Sequence, residues 1–238
     1  MITAAIICLL GLAAAKPLAA DATAKPRYPQ ASKSRGFHLV VNVTDRSRDF
    51  SPPIQNTYVA SIHTGAGLAL VGNVRGTDNA RIFYQNGTAE ERRSSTTTVI
   101  TDSGTPSFPS GVQLVKDKDS DFTSTAHLDA GPGTRGVRIS RSPESYAYLL
   151  PETWLACNES LPYYQGKYFI IFKQSNSTVD GDGNITQNIP DRCAPVRLIP
   201  QCTKLNDLAK GSYSSHLYAI EDRCYKDVKS IKWSDFGP

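Results

Sequence analysis

The 238-residue sequence predicts an all-β fold, a β-sandwich or barrel of about ten short strands with a short C-terminal helix. Three observations predict it. From Gly36 onward, short runs rich in Val, Ile, Thr, Tyr and Phe alternate with clusters of Gly, Pro, Asn and Asp, which punctuate strands and turns. The run Tyr168-Phe169-Ile170-Ile171-Phe172 is apolar without alternation, as in a central strand buried on both faces. Leu217, Ile220, Cys224, Val228 and Ile231 follow one another at three and four residues, the spacing of a helix packed on the sheet.

Taken in order, the chain opens on an apolar run from Ile2 to Ala15 that is too short for a bilayer, which needs about 20 residues, and that ends in small side chains. Residues 1–15 are therefore expected to be a secretory signal peptide, with 1–20 as the competing boundary. Residues 16–35 are polar, carry Pro17, Pro26 and Pro29, and are expected to be a disordered leader. The β-rich core domain is expected over 36–200. Its strands fall at 37–43, 58–64, 68–73, 81–85, 96–101, 112–115, 136–140, 146–150, 154–157, 167–173 and 196–199. Asn86-Gly87 reads as a hairpin turn, because both residues tolerate positive φ. Residues 201–238 form a C-terminal extension tethered by a disulfide.

Composition bounds the function. A net charge of +4, with 39% hydrophobic and 20% charged residues, describes a globular chain and gives no electrostatic footprint of a nucleic-acid binder. No segment after the first twenty residues is apolar enough to be a membrane span. Once Cys8 leaves with the signal peptide, Cys157, Cys193, Cys202 and Cys224 remain, an even number for an oxidising compartment. Three pairings are open; Cys157 with Cys193 and Cys202 with Cys224 close separate loops and are favoured, each contributing about 3–4 kcal/mol. Five acceptor sequons, at Asn42, Asn86, Asn158, Asn176 and Asn184, add the expectation of an N-glycosylated, secreted protein, extracellular or in the cell wall.

Several segments resemble a known family. Phe37-His-Leu-Val-Val-Asn-Val43, Ser61-Ile-His-Thr-Gly-Ala-Gly-Leu68, Phe83-Tyr-Gln-Asn-Gly-Thr88, Trp154-Leu-Ala-Cys157 and Cys193-Ala-Pro-Val-Arg-Leu-Ile-Pro200 occur in this order. Together they resemble small secreted proteins of filamentous ascomycete fungi that carry a domain of unknown function. The resemblance spans roughly 36–200 and implies a β-rich, secreted protein with Cys157 bridged to Cys193; it implies no activity. The polar stretch 175–190 and everything from Gln201 onward depart from the family pattern as an insertion and an extension.

Candidate sites are few. His63 precedes Thr64-Gly65-Ala66-Gly67, which is either the wall of a small pocket or, more plainly, a hairpin turn. Tyr146 and Tyr148 fall on one face of a strand, and with Trp154 and the nearby Tyr163-Tyr164 they are candidates for an aromatic platform under sugar rings; core packing explains the same residues. Asp180-Gly-Asp182-Gly-Asn184 has alternate oxygens like a calcium loop, but Ile185 stands at its sixth position and Asp191 at its twelfth, so it reads as an Asp-Gly turn. Lys116 to Asp121 mixes charges and reads as a solvated loop. The sequence contains no Gly-x-Ser-x-Gly elbow and no His-Glu-x-x-His, and His38, His63, His127 and His216 lie in unrelated segments. No catalytic residue, metal or cofactor is therefore expected. The expectation is a secreted, non-enzymatic fungal protein that binds a cell-wall polysaccharide or a host surface, including a host protein, with a virulence effector among the roles; an extracellular hydrolase with an unrecognised site is the alternative.

Overall fold

A computed structural model of the chain describes residues 28–236. The signal peptide expected at 1–15 or 1–20, and the leader up to residue 27, lie outside the described residues. The strands are β1 (Ser32–Ser34), β2 (Gly36–Val43), β3 (Tyr58–Gly65), β4 (Leu68–Val74), β5 (Phe83–Asn86), β6 (Thr98–Ser103), β7 (Phe108–Gly111), β8 (Gln113–Lys116) and β9 (Thr123–His127). They continue with β10 (Arg138–Ile139), β11 (Leu149–Leu150), β12 (Trp154–Leu161), β13 (Lys167–Ser175), β14 (Ser177–Val179), β15 (Ile185–Gln187), β16 (Cys193–Thr203), β17 (Ala219–Ile220) and β18 (Asp222–Cys224). A short helix, α1 (Ala89–Ser94), interrupts them. The fold is all-β, and each of the eleven expected strands overlaps an observed one.

Twelve strands share one sheet, ordered β16-β12-β13-β9-β4-β3-β2-β5-β6-β7, with β17 on β5 and β8 on β9. β16 also pairs back onto β2, and β13 also touches β4. The pairings thus run β2, β3, β4, β13, β12, β16 and return to β2. The β16–β2 ladder runs from Val196↔Val43 to Thr203↔Gly36, joining segments far apart in the chain. β4 meets β13 only at Gly72↔Ile171, where a Cβ on Gly72 would stand 2.2 Å from the Ile62 side chain. Glycine at 72 leaves room for Ile62 from the adjacent strand β3, which a Cβ there would push aside.

The main core holds Phe37, Phe83, Phe172, Leu39, Leu198, Ile199 and Trp154, all essentially inaccessible. Burying each contributes about 1.5–3 kcal/mol. β2 is buried along almost its whole length because β16, β3 and β5 flank it. A second, smaller cluster of Leu70, Leu161 and Ile171 carries Ile62, Tyr164 and Phe169 against it. Cys157 and Cys193 face each other in the β12–β16 register and are bonded, and Cys202 is bonded to Cys224.

Several expectations are corrected. The C-terminal helix is absent: residues 219–220 pair with β5 and 222–224 with β1, while Leu217 is exposed. Ladder bonds to distant strands outweighed the local spacing, and Cys202 N–H to Tyr225 O with Tyr225 N–H to Pro200 O hold the segment extended along β16. Ser32–Ser34, expected in the leader, is a strand because β18 supplies its partner. Asn86-Gly87 does not close a hairpin; Thr88 caps α1, with its hydroxyl accepting from Glu91 N–H and the Glu91 carboxylate accepting from Thr88 N–H. β13 is central, yet only its later residues are enclosed: Tyr168 is exposed, and Phe169 and Ile170 are half-buried. Asp117, expected in a solvated loop, accepts from the Thr123 and Thr125 hydroxyls, both at 2.6 Å, and from Lys173 Nζ at 3.0 Å. Burial pushes its carboxyl up, but these hydrogen bonds and Lys173 outweigh that and hold it below the usual range.

Candidate functional site

Tyr146, Tyr148 and Trp154 come together but form no exposed platform. They are buried, at 8%, 6% and 2% exposure. The Tyr146 and Tyr148 rings lie 5.4 Å apart, and the Arg197 guanidinium stands 5.2 and 5.4 Å from their centroids. The faces a sugar would stack on are thus already covered by a cation. Arg197 also donates to the Tyr146 hydroxyl and to Glu152 Oε1, while Tyr148 donates to Glu144 Oε2 and the Trp154 indole to Leu149 O. Burial pushes both tyrosine hydroxyls up, so they stay neutral.

His63 sits differently. It is exposed near the end of β3, before a tight hairpin in which Gly67 has φ +71°. Its ring meets Tyr163 edge-on at 5.5 Å, Tyr163 lies 5.2 Å from Tyr164, and Tyr164 lies 4.7 Å from Phe169. Local chemistry places these rings. β12 and β13 are joined by a 3-10 turn at Pro162–Tyr164, where Pro162 fixes the entry and Gln165 and Gly166 adopt positive φ. The turn lifts both tyrosines to the hairpin tip, with Tyr163 54% exposed, and Tyr164 is seated on the Leu70–Leu161–Ile171 cluster. Tyr168 alternates to the opposite face of β13 from Phe169. Sequence reasoning named His63 and the Tyr163-Tyr164 pair separately and had no means of joining them.

The structure also brings together pairs that no motif signals. His216 Nε2 lies 2.8 Å from Asp102 Oδ2, beside the Tyr84 ring at 4.8 Å, and the Tyr84 hydroxyl donates to Asp102 Oδ1. His127 Nδ1 lies 3.2 Å from Asp129, whose other oxygen accepts from Ala69 N–H. Each is an acid-oriented imidazole, yet among the described residues no Ser, Thr or Cys side chain hydrogen-bonds to either histidine. Asp102–His216 anchors the extension to β6, and Ser107 and Ser212 tie it to the β6–β7 turn through their hydroxyls at 2.7 Å. No group of three His, Cys, Asp or Glu that could hold a metal occurs among the described residues. The Asp180 carboxylate accepts from Asp182 N–H, Asn184 N–H and Asn184 Nδ2, as in a self-contained turn.

The sequons are unequally placed. Asn176 and Asn184 are exposed, in and beside the β14–β15 hairpin, while Asn86 and Asn158 are half-buried within strands. Asn42 is 7% exposed and its side-chain oxygen accepts from Gln55. No helix among the described residues is long and apolar enough to cross a membrane.

Comparison with known proteins adds a family and a relative. The family model described as Domain of unknown function (DUF7907) matches residues 34–202. A relative from Stachybotrys chartarum, described as "Antigenic protein SchS34", is 58% identical over 213 residues, covering 90% of this chain and 96% of that protein. No solved structure matches.

Proposed function

Since the chain belongs to the fungal family of the Domain of unknown function (DUF7907), which brings no activity with it, we propose from its own geometry that it is an extracellular, non-enzymatic protein that binds a cell-wall polysaccharide. The observation that carries this reading is the contiguous aromatic surface His63–Tyr163–Tyr164–Phe169. Its outer ring is exposed and its inner rings are braced from below. Rings held rigidly at a hairpin tip suit the apolar faces of sugars, because little side-chain freedom is lost on binding. Two disulfides support an oxidising compartment, and a relative described as antigenic is one that an immune system meets, which supports the same setting. Asn176 and Asn184 are the sequons whose exposure suits a glycan. We read the circuit of pairings from β2 back to β2 as a small barrel, and the strands beyond it as a flanking sheet.

Retention of the secreted protein on insoluble chitin, β-glucan and cellulose, against a denatured control, tests this. Saturable retention on one polymer is expected, weakened about tenfold in Tyr163→Ala, since an aromatic contact contributes roughly 0.5–1.5 kcal/mol beyond its area. Tyr163 is exposed, so the variant should keep its fold. Absence of retention on all three, or retention indifferent to Tyr163→Ala, overturns the reading.

A further inference from the structure

We propose that a basic hollow between the ends of β2 and β16 and the segment 229–234 is a second binding site, selective for an acidic saccharide whose unit is a hexuronic acid. None of its lining residues belongs to the His63–Tyr163 surface. It is an open hollow of about 620 Å³, within the range of small-ligand sites at roughly 300–1,000 Å³.

The register builds it. Arg197 stands directly opposite Asn42 in the β16–β2 ladder, so both side chains emerge on one face. Arg46 follows at the end of β2, and Lys229 and Lys232 approach from the C-terminal segment. Four cations therefore line the hollow, and no Asp or Glu does. Arg197 reaches Glu152 at 3.3 Å and Lys229 Nζ lies 4.9 Å over the Tyr58 ring, while Arg46, Lys229 and Lys232 have no ion-pair partner among the described residues. Asp227 and Asp235 border a neighbouring hollow that shares Ile231, Lys232 and Phe236 with this one. Like charges gathered around a cavity with low-dielectric walls raise its potential, and an entering carboxylate relieves it.

The remaining lining selects a sugar rather than a bare anion. Gln55 accepts from Val43 N–H and donates to Asn42 Oδ1 at 3.3 Å and Asn56 Oδ1 at 3.0 Å, which fixes a row of amides whose free Nδ2 donors suit hydroxyl oxygens. Trp233 presents a ring braced by Tyr146 at 5.3 Å and Tyr225 at 6.2 Å. Its indole N–H is enclosed in the protein, so what Trp233 offers the hollow is its ring, an apolar wall of the kind that stacks on a sugar face. A polynucleotide would ask instead for cations tracking a backbone with successive stacking rings, and Trp233 is a single such wall.

Trp233 also supplies the readout, because Trp154, the other tryptophan, is buried with its N–H satisfied. The full secreted protein is titrated with trigalacturonate, with cellotriose as the neutral trimer and with tripolyphosphate as a bare polyanion. Fluorescence is followed, with calorimetry alongside for a binding event that leaves the indole unchanged. Saturable binding of trigalacturonate at least tenfold tighter than of either comparison ligand is expected, weakening as NaCl rises. Lys229→Gln/Lys232→Gln, whose side chains are exposed, should weaken it about tenfold with an unchanged circular dichroism spectrum. The proposal is overturned if wild type shows no heat and no fluorescence change, if the folded double variant binds like wild type, or if tripolyphosphate binds as tightly as trigalacturonate. These outcomes are independent of retention on the neutral polymers and of Tyr163.

Discussion

Asp222 is 3% exposed, and burial pushes its carboxyl up to about 6 although Arg92, Arg141 and Arg223 pull it down. Only Arg92 approaches as an ion pair, at 3.9 Å, and Oδ2 has no partner among the described residues. Between an unfolded value near 4 and the folded value the native state binds more protons than the unfolded one, so this group's contribution to stability falls as pH rises through that window and stays low above about 6. Asp222→Asn should therefore stabilise the protein by about 3 kcal/mol at pH 7.5 and make almost no difference below about pH 3.5, as measured by urea unfolding at both pH values. A destabilised variant at pH 7.5 would show that the arginines dominate instead. At the same scale, Tyr146 and Tyr148 are neighbours but not on a strand, since the strand expected over 146–150 is confined to Leu149–Leu150. Whether their rings met solvent or Arg197 depended on a strand some fifty residues further along, and no local pattern encodes it. His63 and Tyr163, a hundred residues apart, were equally unreadable as partners.

Strands with a strong apolar signature were legible as elements: β2, β3, β4, β12, β13 and β16 all lay under runs of Val, Ile, Leu and aromatic residues. β7 and β9 were not, because Phe108-Pro-Ser-Gly111 is held by β6 and a single bridge to Gly131, and Thr123-Ser-Thr-Ala-His127 by β8 and β13, rather than by their own hydrophobicity. The segment 217–231 misled for the same reason in reverse, its helical spacing giving way to ladder bonds with β5 and β1. The β14–β15 hairpin was legible only as a polar stretch, and its residues are exposed throughout. It buries little, so replacing residues 177–187 with Gly-Gly should leave the thermal midpoint within about 3 °C of wild type, since changing the length of a surface loop costs only about 0.6 kcal/mol per doubling. A drop well beyond that in differential scanning calorimetry would mean that the hairpin supports the fold.

For the whole molecule, the return of β16 onto β2 makes the last core strand a condition for the first, so that neither end of the core can be completed early. Partial protease digestion of the native protein should cut first within 180–184, where the turn is exposed on all sides, and binding to the selected polymer should survive the cut. Loss of retention in step with that first cleavage would place the hairpin in the binding surface.

β16 has a cysteine near each end, Cys193 joined to Cys157 and Cys202 joined to Cys224. As a covalent graph the chain is therefore two consecutive rings strung on one strand, and every peptide bond from 158 to 192 and from 203 to 223 lies inside a ring. A single scission in either interval separates nothing. Such a nicked molecule runs as one band on a non-reducing gel and as two after thiol treatment, so a cut inside a ring releases a fragment only when a second cut falls in the same ring.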